Sequence, residues 1–90
     1  MPFELERAYA LDPQVALRPE RFGALAYHFG TRRLSFLKSR PLLAVVRELD
    51  AQPSARAACA AAGIGDDELP RYAQALETLQ STGMIRERAT

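Results

Sequence analysis

The sequence predicts an α+β domain in which a three-stranded antiparallel sheet is followed by three helices. Before Ser39, apolar residues alternate with other residues, which is the two-residue period of strands. After Ser39, apolar residues recur at three- and four-residue spacing, which is the period of amphipathic helices. The length of 90 residues suits one domain with a modest core. We therefore expect a single domain over residues 1–90.

Three segments have the pattern of strands. Gln14–Arg18 alternates between two prolines, which makes a central position in a sheet unfavourable. Ala24–Phe29 alternates more clearly, and the turn signal at Gly30 separates it from Arg33–Lys38, where alternation resumes. These segments predict an antiparallel meander whose last strand begins at Arg33.

The first helix has a clear start and end. Ser39 is a natural N-cap, and Pro41 falls in the first turn, where its missing amide costs no hydrogen bond. The segment Asp50–Pro53 ends the helix. The predicted buried face consists of Leu42, Val45, Val46 and Leu49.

The second helix is predicted from an N-cap at Ser54 to a stop at Gly63, and it is rich in alanine. For the third helix we favour an N-cap at Asp67 over Asp66, because Pro70 then occupies a position whose amide is unpaired. Gly83 ends it. The apolar stripe of this helix consists of Leu69, Tyr72, Ala73, Leu76 and Leu79.

The order of these helices resembles the second half of a winged helix-turn-helix domain, so the predicted fold is winged helix-turn-helix-like. After the third helix, Met84 and Ile85 are expected to fold under the core, and Arg86–Thr90 is expected to be a frayed tail.

Composition argues against two classes of partner. Twelve basic and eleven acidic residues give a formal net charge of +1, whereas nucleic-acid binders usually carry a cationic excess. The sequence shows neither an apolar stretch of transmembrane length nor a signal-peptide pattern. We therefore expect a cytoplasmic protein without nucleic-acid or membrane partners.

A search for catalytic and metal-binding motifs gives no candidate. The sequence lacks a glycine-rich phosphate loop, paired histidines at ligand spacing and a serine–histidine–acid set. Cys59 fits a buried structural role, His28 a solvated or core-edge role, and Asp66–Glu68 a helix N-terminus. We expect no enzyme activity, no metal and no cofactor.

Two binding functions remain, together with an unspecified interaction module. A DNA-binding winged helix would use the third helix, but Arg71 is its one outward cation, and groove entry needs several. Peptide capture would use the strand Arg33–Leu37 as an open edge beside the third helix. On that strand, Leu34 and Phe36 point one way, and Arg33, Ser35 and Leu37 point the other.

One family resemblance sharpens this choice. The run Leu11–Ser39, which reads LDPQVALRPERFGALAYHFGTRRLSFLKS, resembles the chaperones of mycofactocin biosynthesis. The segments Leu42–Leu49, Pro53–Cys59 and Leu79–Ile85 agree with it, so the resemblance covers about residues 8–86. These chaperones are similar to those of pyrroloquinoline quinone biosynthesis, which share a precursor-recognition fold.

The resemblance implies a peptide chaperone and not an enzyme. Its partners would be the mycofactocin precursor peptide, whose leader adds as a fourth strand, and a radical S-adenosylmethionine maturase that performs the chemistry. No cofactor is implied for the chaperone itself. The implied peptide-binding residues are Arg33, Leu34, Ser35, Phe36, Leu37, Arg71, Tyr72, Leu76 and Leu79.

Overall fold

The computed structural model describes residues 3–88. It confirms an α+β architecture with a three-stranded antiparallel sheet and three helices, and it adds a two-stranded sheet. The elements in chain order are β1 (Tyr9–Leu11), β2 (Val15–Glu20), β3 (Gly23–His28), β4 (Leu34–Leu37), α1 (Arg40–Glu48), α2 (Ala55–Ala61), α3 (Leu69–Ser81) and β5 (Ile85–Glu87).

The three-stranded sheet has the order β2-β3-β4, with β3 at its centre. Its inner face packs on the helices, and Ala24, Ala26 and Leu37 on that face are fully buried. Gly23 is required where β3 starts, because a Cβ there would lie 2.2 Å from the carbonyl oxygen of Leu37. Small residues on β3 thus allow a close approach of β4 and the helices.

The first two helices begin as predicted. The Ser39 hydroxyl accepts a hydrogen bond from the Leu42 amide at 3.2 Å, and the Ser54 hydroxyl accepts one from the Ala57 amide at 3.0 Å. Both serines have extended backbone dihedrals, as N-caps require. The predicted apolar face of α1 is buried.

The predicted N-cap of α3 at Asp67 is wrong. The helix begins at Leu69, and Glu68 is the capping residue, without a side-chain capping bond. The amide of Glu68 donates to the Gly65 carbonyl at 3.0 Å, so a turn precedes the helix and delays its start. Pro70 still lies in the first turn, where its missing amide costs nothing.

The predicted frayed tail is also wrong over residues 86–88. β5 pairs antiparallel with β1, with Ile85 opposite Leu11. The side chain of Glu87 accepts a hydrogen bond from Arg7 at 2.8 Å, and the Arg88 amide donates to the Ala8 carbonyl at 2.9 Å. This long-range pairing gives the short segment an order that its local sequence does not predict. Ala89 and Thr90, the end of the predicted tail, lie outside the described residues.

The core lies between the sheets and the helices. Met84 and Ile85 fold under it as predicted, and Tyr9 from β1 is fully buried. The Tyr9 hydroxyl accepts a hydrogen bond from the Glu4 amide at 2.9 Å, which satisfies its polar end. Within residues 3–88, each helix is too short or too polar to cross a bilayer.

Candidate functional site

β4 forms one border of the three-stranded sheet, because it pairs with β3 alone. The His28 amide donates to the Arg33 carbonyl at 2.9 Å, which fixes the phase of the ladder. In an antiparallel ladder, residues that bond to the neighbouring strand alternate with residues whose N–H and C=O point away. With the observed register, Ser35 bonds to β3, whereas the backbone groups of Leu34 and Phe36 point outward. The open edge therefore offers two amides and two carbonyls to an added strand.

A groove runs between this edge and α3. It consists of two hollows of about 420 and about 430 Å³, which share Lys38, Leu42 and Ala75 and are therefore continuous. We call them together the β4–α3 groove. Its lining residues are Leu34, Ser35, Phe36, Lys38, Ser39, Leu42, Arg71, Tyr72, Ala75, Thr78 and Leu79.

Two of the other hollows lie at the β1–β5 end of the molecule. They have volumes of about 590 and about 660 Å³, and both are bordered by Arg86 and Glu87. Neither of them borders the open edge of β4. Because it borders the open edge of β4, the β4–α3 groove is the better candidate for an extended peptide.

The structure brings most of the predicted site residues together. Leu34, Ser35, Phe36 and Leu79 line the first hollow, and Arg71 and Tyr72 line the second. Three predicted residues do not line either hollow. They are Leu37 and Leu76, which are fully buried in the core, and Arg33, which is exposed just before β4.

Sequence reasoning left several groove residues out of the predicted peptide-binding set. Ala75 and Thr78 belong to the side of α3 that faces β4, and Leu42 was assigned to the buried face of α1 alone. The available signal was spacing: Ala75 lies three residues after Tyr72 and four before Leu79, so the three share one helix side.

The groove is apolar in the middle and cationic at its borders. Lys38 borders both hollows, and within residues 3–88 no carboxylate lies at ion-pair distance from it. Arg71 pairs with Glu68 at 3.0 Å, and its guanidinium lies 5.7 Å from the centre of the Tyr72 ring. An acidic peptide would meet favourable charge at this groove.

His28 has a structural role. It is buried, and its Nδ1 accepts hydrogen bonds from the amides of Gly30 and Thr31 at 3.0 and 3.1 Å. Its Nε2 lies 3.6 Å from Asp12. The imidazole thus holds the turn between β3 and β4, which corrects the expected solvated position in favour of the core-edge one.

The other reactive groups offer no chemical site. Cys59 is fully buried, as expected, and burial raises the pKa of its thiol, with Arg56 opposing this slightly. The side chains of Asp66–Glu68 are exposed. Over the described range 3–88, no group of three or more histidine, cysteine or acidic side chains is placed to hold a metal ion.

The exposed side of α3 does not resemble a DNA-recognition surface. The charged residues of this helix are Arg71 and Glu77, and Arg71 is already paired with Glu68. A recognition helix needs cations for phosphate as well as polar groups for bases. The charges of α3 therefore do not favour binding to DNA.

Comparison with known proteins identifies a family and relatives that are named as peptide chaperones. The family model described as the peptide chaperone MftB family matches residues 8–86. The chain is 54% identical over 83 residues to the peptide chaperone MftB of Mycobacterium ulcerans, covering 92% of this chain and 76% of that protein. It is 51% identical over 88 residues to the peptide chaperone MftB of Mycobacterium tuberculosis, covering 98% and 81%.

A third relative, the peptide chaperone MftB of Mycolicibacterium smegmatis, is 49% identical over 83 residues, which is 92% of this chain and 81% of that protein. No solved structure gives a significant match. Since the family match and the relatives each span most of the sequence, the chain belongs to the peptide chaperone MftB family.

Proposed function

We propose that this chain is a cytoplasmic, non-enzymatic chaperone that binds the leader of a mycofactocin precursor peptide and delivers it to a radical S-adenosylmethionine maturase. It would act as one domain, with its core over residues 8–86. The observation that carries the proposal is the open edge of β4, whose outward backbone groups at Leu34 and Phe36 lie beside the β4–α3 groove. The relatives are named as peptide chaperones and not as enzymes.

The binding mode follows from strand geometry. A peptide that adds to β4 gains up to four backbone hydrogen bonds, at the amides and carbonyls of Leu34 and Phe36. Its side chains alternate between the two faces of the extended sheet. Those on the inner face would meet Leu42, Ala75 and Leu79, which requires apolar residues at every second position of the peptide.

Charge would add attraction at longer range. Arg33, Lys38 and Arg71 lie at or near the borders of the groove, and each is exposed. They favour an acidic leader through an interaction that salt screens. Backbone pairing and the apolar pockets would supply most of the affinity, because exposed charge pairs contribute about 0–1 kcal/mol each.

The alternative function is a winged-helix DNA-binding regulator. We propose that the fold is winged helix-turn-helix-like, because a short connection joins α2 to α3. The charge of α3 does not favour the DNA function, since Arg71 and Glu77 cancel. Neither nucleic acid nor a membrane is proposed as a partner.

Titration calorimetry with a mycofactocin-type precursor peptide tests the chaperone function. We expect one peptide per chain, and we expect Ala75→Glu to abolish most binding because a carboxylate would enter the apolar groove. Ala60→Glu is the matched control, since Ala60 is an exposed helical alanine on α2.

Each alternative has its own outcome. No binding by the folded wild-type chain would refute the chaperone function. Equal binding by wild type and Ala75→Glu would place the peptide outside the groove. Binding of duplex DNA instead of the peptide would support the winged-helix regulator.

A further inference from the structure

The outer face of the three-stranded sheet, opposite the helices, is unusually apolar for a solvent-facing surface. The strand registers place Arg18, Leu25 and Phe36 in one row across this face, and Ala16, Tyr27 and Leu34 in the next. Large side chains remain uncovered there: the exposed fractions are 45% for Phe22, 60% for Phe29, 56% for Leu34 and 59% for Phe36. Contiguous exposed apolar patches on soluble domains usually mark an interaction surface.

The aromatic side chains of the outer face hold one another in place. The rings of Phe22 and Phe36 lie 6.0 Å apart at an angle of 56°, and those of Tyr27 and Phe29 lie 5.1 Å apart at 79°. The first pair is tilted and the second is edge to face, and such pairs favour defined ring orientations before any partner binds. Such preorganised aromatic groups are typical anchors of protein interfaces.

The charge of this part of the chain is one-sided, although the whole chain is nearly neutral. Residues 14–40 contain six cations and one carboxylate. Within residues 3–88, no carboxylate lies at ion-pair distance from Arg21, Arg32 or Arg33. The cations are Arg18, Arg21, Arg32, Arg33, Lys38 and Arg40, and the carboxylate is Glu20.

This charge selects among possible occupants. Arg18 pairs with Glu20 at 2.6 Å, so the excess on this side comes from the connections between the strands, where Arg21 and Arg32 are exposed. Two copies of the chain that met through their outer faces would bring these cationic connections close together, which is unfavourable.

Proteins that bind single-stranded RNA also combine aromatic and basic residues, but their rings present flat faces side by side, on which the bases stack. Here the rings are tilted or edge to face relative to each other, and Leu25 and Leu34 lie between the two pairs. An acidic protein surface with an apolar centre fits both the charge and the shape.

The outer face is continuous with the open edge of β4. Leu34 and Phe36 supply outward backbone groups at that edge, and their side chains lie on the outer face. A peptide strand added to β4 would therefore extend the outer face by one strand. A protein docked there would touch the outward side chains of the peptide while the chaperone still held its backbone.

We propose that the outer face, with Phe29 and Arg18 among its contacts, is the docking surface for an acidic patch on the enzyme that receives the peptide. This inference rests on the proposed function, in which that enzyme is the radical S-adenosylmethionine maturase. Peptide and enzyme then occupy adjacent surfaces and bind together. The cationic border would speed their association and make it sensitive to salt.

The test measures two affinities in the same set of variants, with the precursor peptide and with the purified maturase as separate probes. Phe29→Ser removes an exposed ring. Arg18→Glu reverses the charge of a side chain that is 77% exposed and that pairs with Glu20 at 2.6 Å. We expect each variant to weaken maturase binding about ten-fold or more, as loss of an interface anchor does, and to leave peptide affinity within about two-fold. Ala75→Glu should instead weaken peptide binding and leave maturase affinity nearly unchanged.

Circular dichroism and thermal unfolding establish that the variants are folded. Unchanged maturase affinity in both outer-face variants would overturn the inference alone. Absence of maturase binding by the wild type would overturn it together with the delivery step of the proposed function. Binding of an oligouridine that both variants abolish would overturn it in favour of RNA. Failure of the proposed function has a separate sign, which is a wild-type chain that does not bind the peptide at all.

Discussion

The two edges of the three-stranded sheet differ in what they offer to another strand. At the outward edge of β2, the backbone groups of Val15, Leu17 and Pro19 point away from β3, by the same alternation that applies to β4. The Val15 amide already donates to the Asp12 carbonyl at 2.9 Å, and proline has no amide. The β2 edge thus retains one free donor, at Leu17, among its outward positions.

At the edge of β4, both outward amides, those of Leu34 and Phe36, are available. The β4 edge also borders an apolar groove with α3, whereas none of the hollows described above is lined by a β2 residue. Natural sheets commonly protect their edges with proline and charge. The chain protects β2 in this way and leaves β4 open, as the proposed addition of a peptide strand requires.

The substitution with the largest expected effect pushes β4 away from β3. In Gly23→Ala, the added Cβ would lie 2.2 Å from the Leu37 carbonyl oxygen and 2.7 Å from that of Ser39. Because both atoms belong to backbone, we expect a loss of about 3 kcal/mol in the free energy of unfolding, measured by urea denaturation.

Gly63→Ala is the control for this change. Gly63 has a φ of +85° and no heavy atom within 4 Å of a built Cβ, so the substitution adds backbone strain without a clash. We expect a loss of about 1 kcal/mol there. Equal losses at the two glycines would contradict the tight approach of β3 and β4.

A smaller change makes the β4 edge like that of β2. Phe36→Pro removes one outward amide while the ladder to β3 stays intact, because the Phe36 amide does not bond to β3. Compared with Phe36→Ala, which removes the side chain alone, we expect about ten-fold weaker peptide binding and a stability within about 1 kcal/mol. Calorimetry and thermal unfolding measure the two quantities.

The reverse change on the other edge sharpens the result. Pro19→Thr returns an outward amide to β2, where no groove adjoins it, so peptide affinity should stay within about two-fold of wild type. A second peptide bound per chain in this variant would show that a free edge suffices without α3. Similar affinities for Phe36→Pro and Phe36→Ala would show that the backbone of β4 does not pair with the peptide.

The sequence predicted elements that are held by local patterns. The β4 segment and the caps at Ser39 and Ser54 depend on neighbouring residues, and the structure confirms them. β1 and β5 were missed because each has three residues and exists through pairing with a segment more than 70 positions away. Such pairing leaves almost no local signal.

The outline of the candidate groove follows from the sequence for a similar reason, and its role in peptide binding stays a prediction. Alternation correctly assigned Leu34 and Phe36 to one face of β4 and Leu37 to the other, and Leu37 is buried. The contributions of Leu42 and Ala75 to the groove depend on how α1 and α3 pack against β4. Helix packing is a tertiary property, so spacing within one helix predicts which side is buried but not which element packs against that side.

The smallest expected effect concerns charge near the open edge. Arg33 precedes β4, is exposed, and has no carboxylate at ion-pair distance within residues 3–88. For an acidic leader, Arg33→Glu should weaken peptide binding about three-fold at low salt. At about 0.5 M salt the difference should vanish, because the screening length is then shorter than about 5 Å.

Arg47→Glu makes the same charge change on the exposed side of α1. If both variants weaken binding equally, net charge and not position near the β4 edge attracts the peptide. If Arg33→Glu alone weakens binding, the attraction is local to the β4 edge.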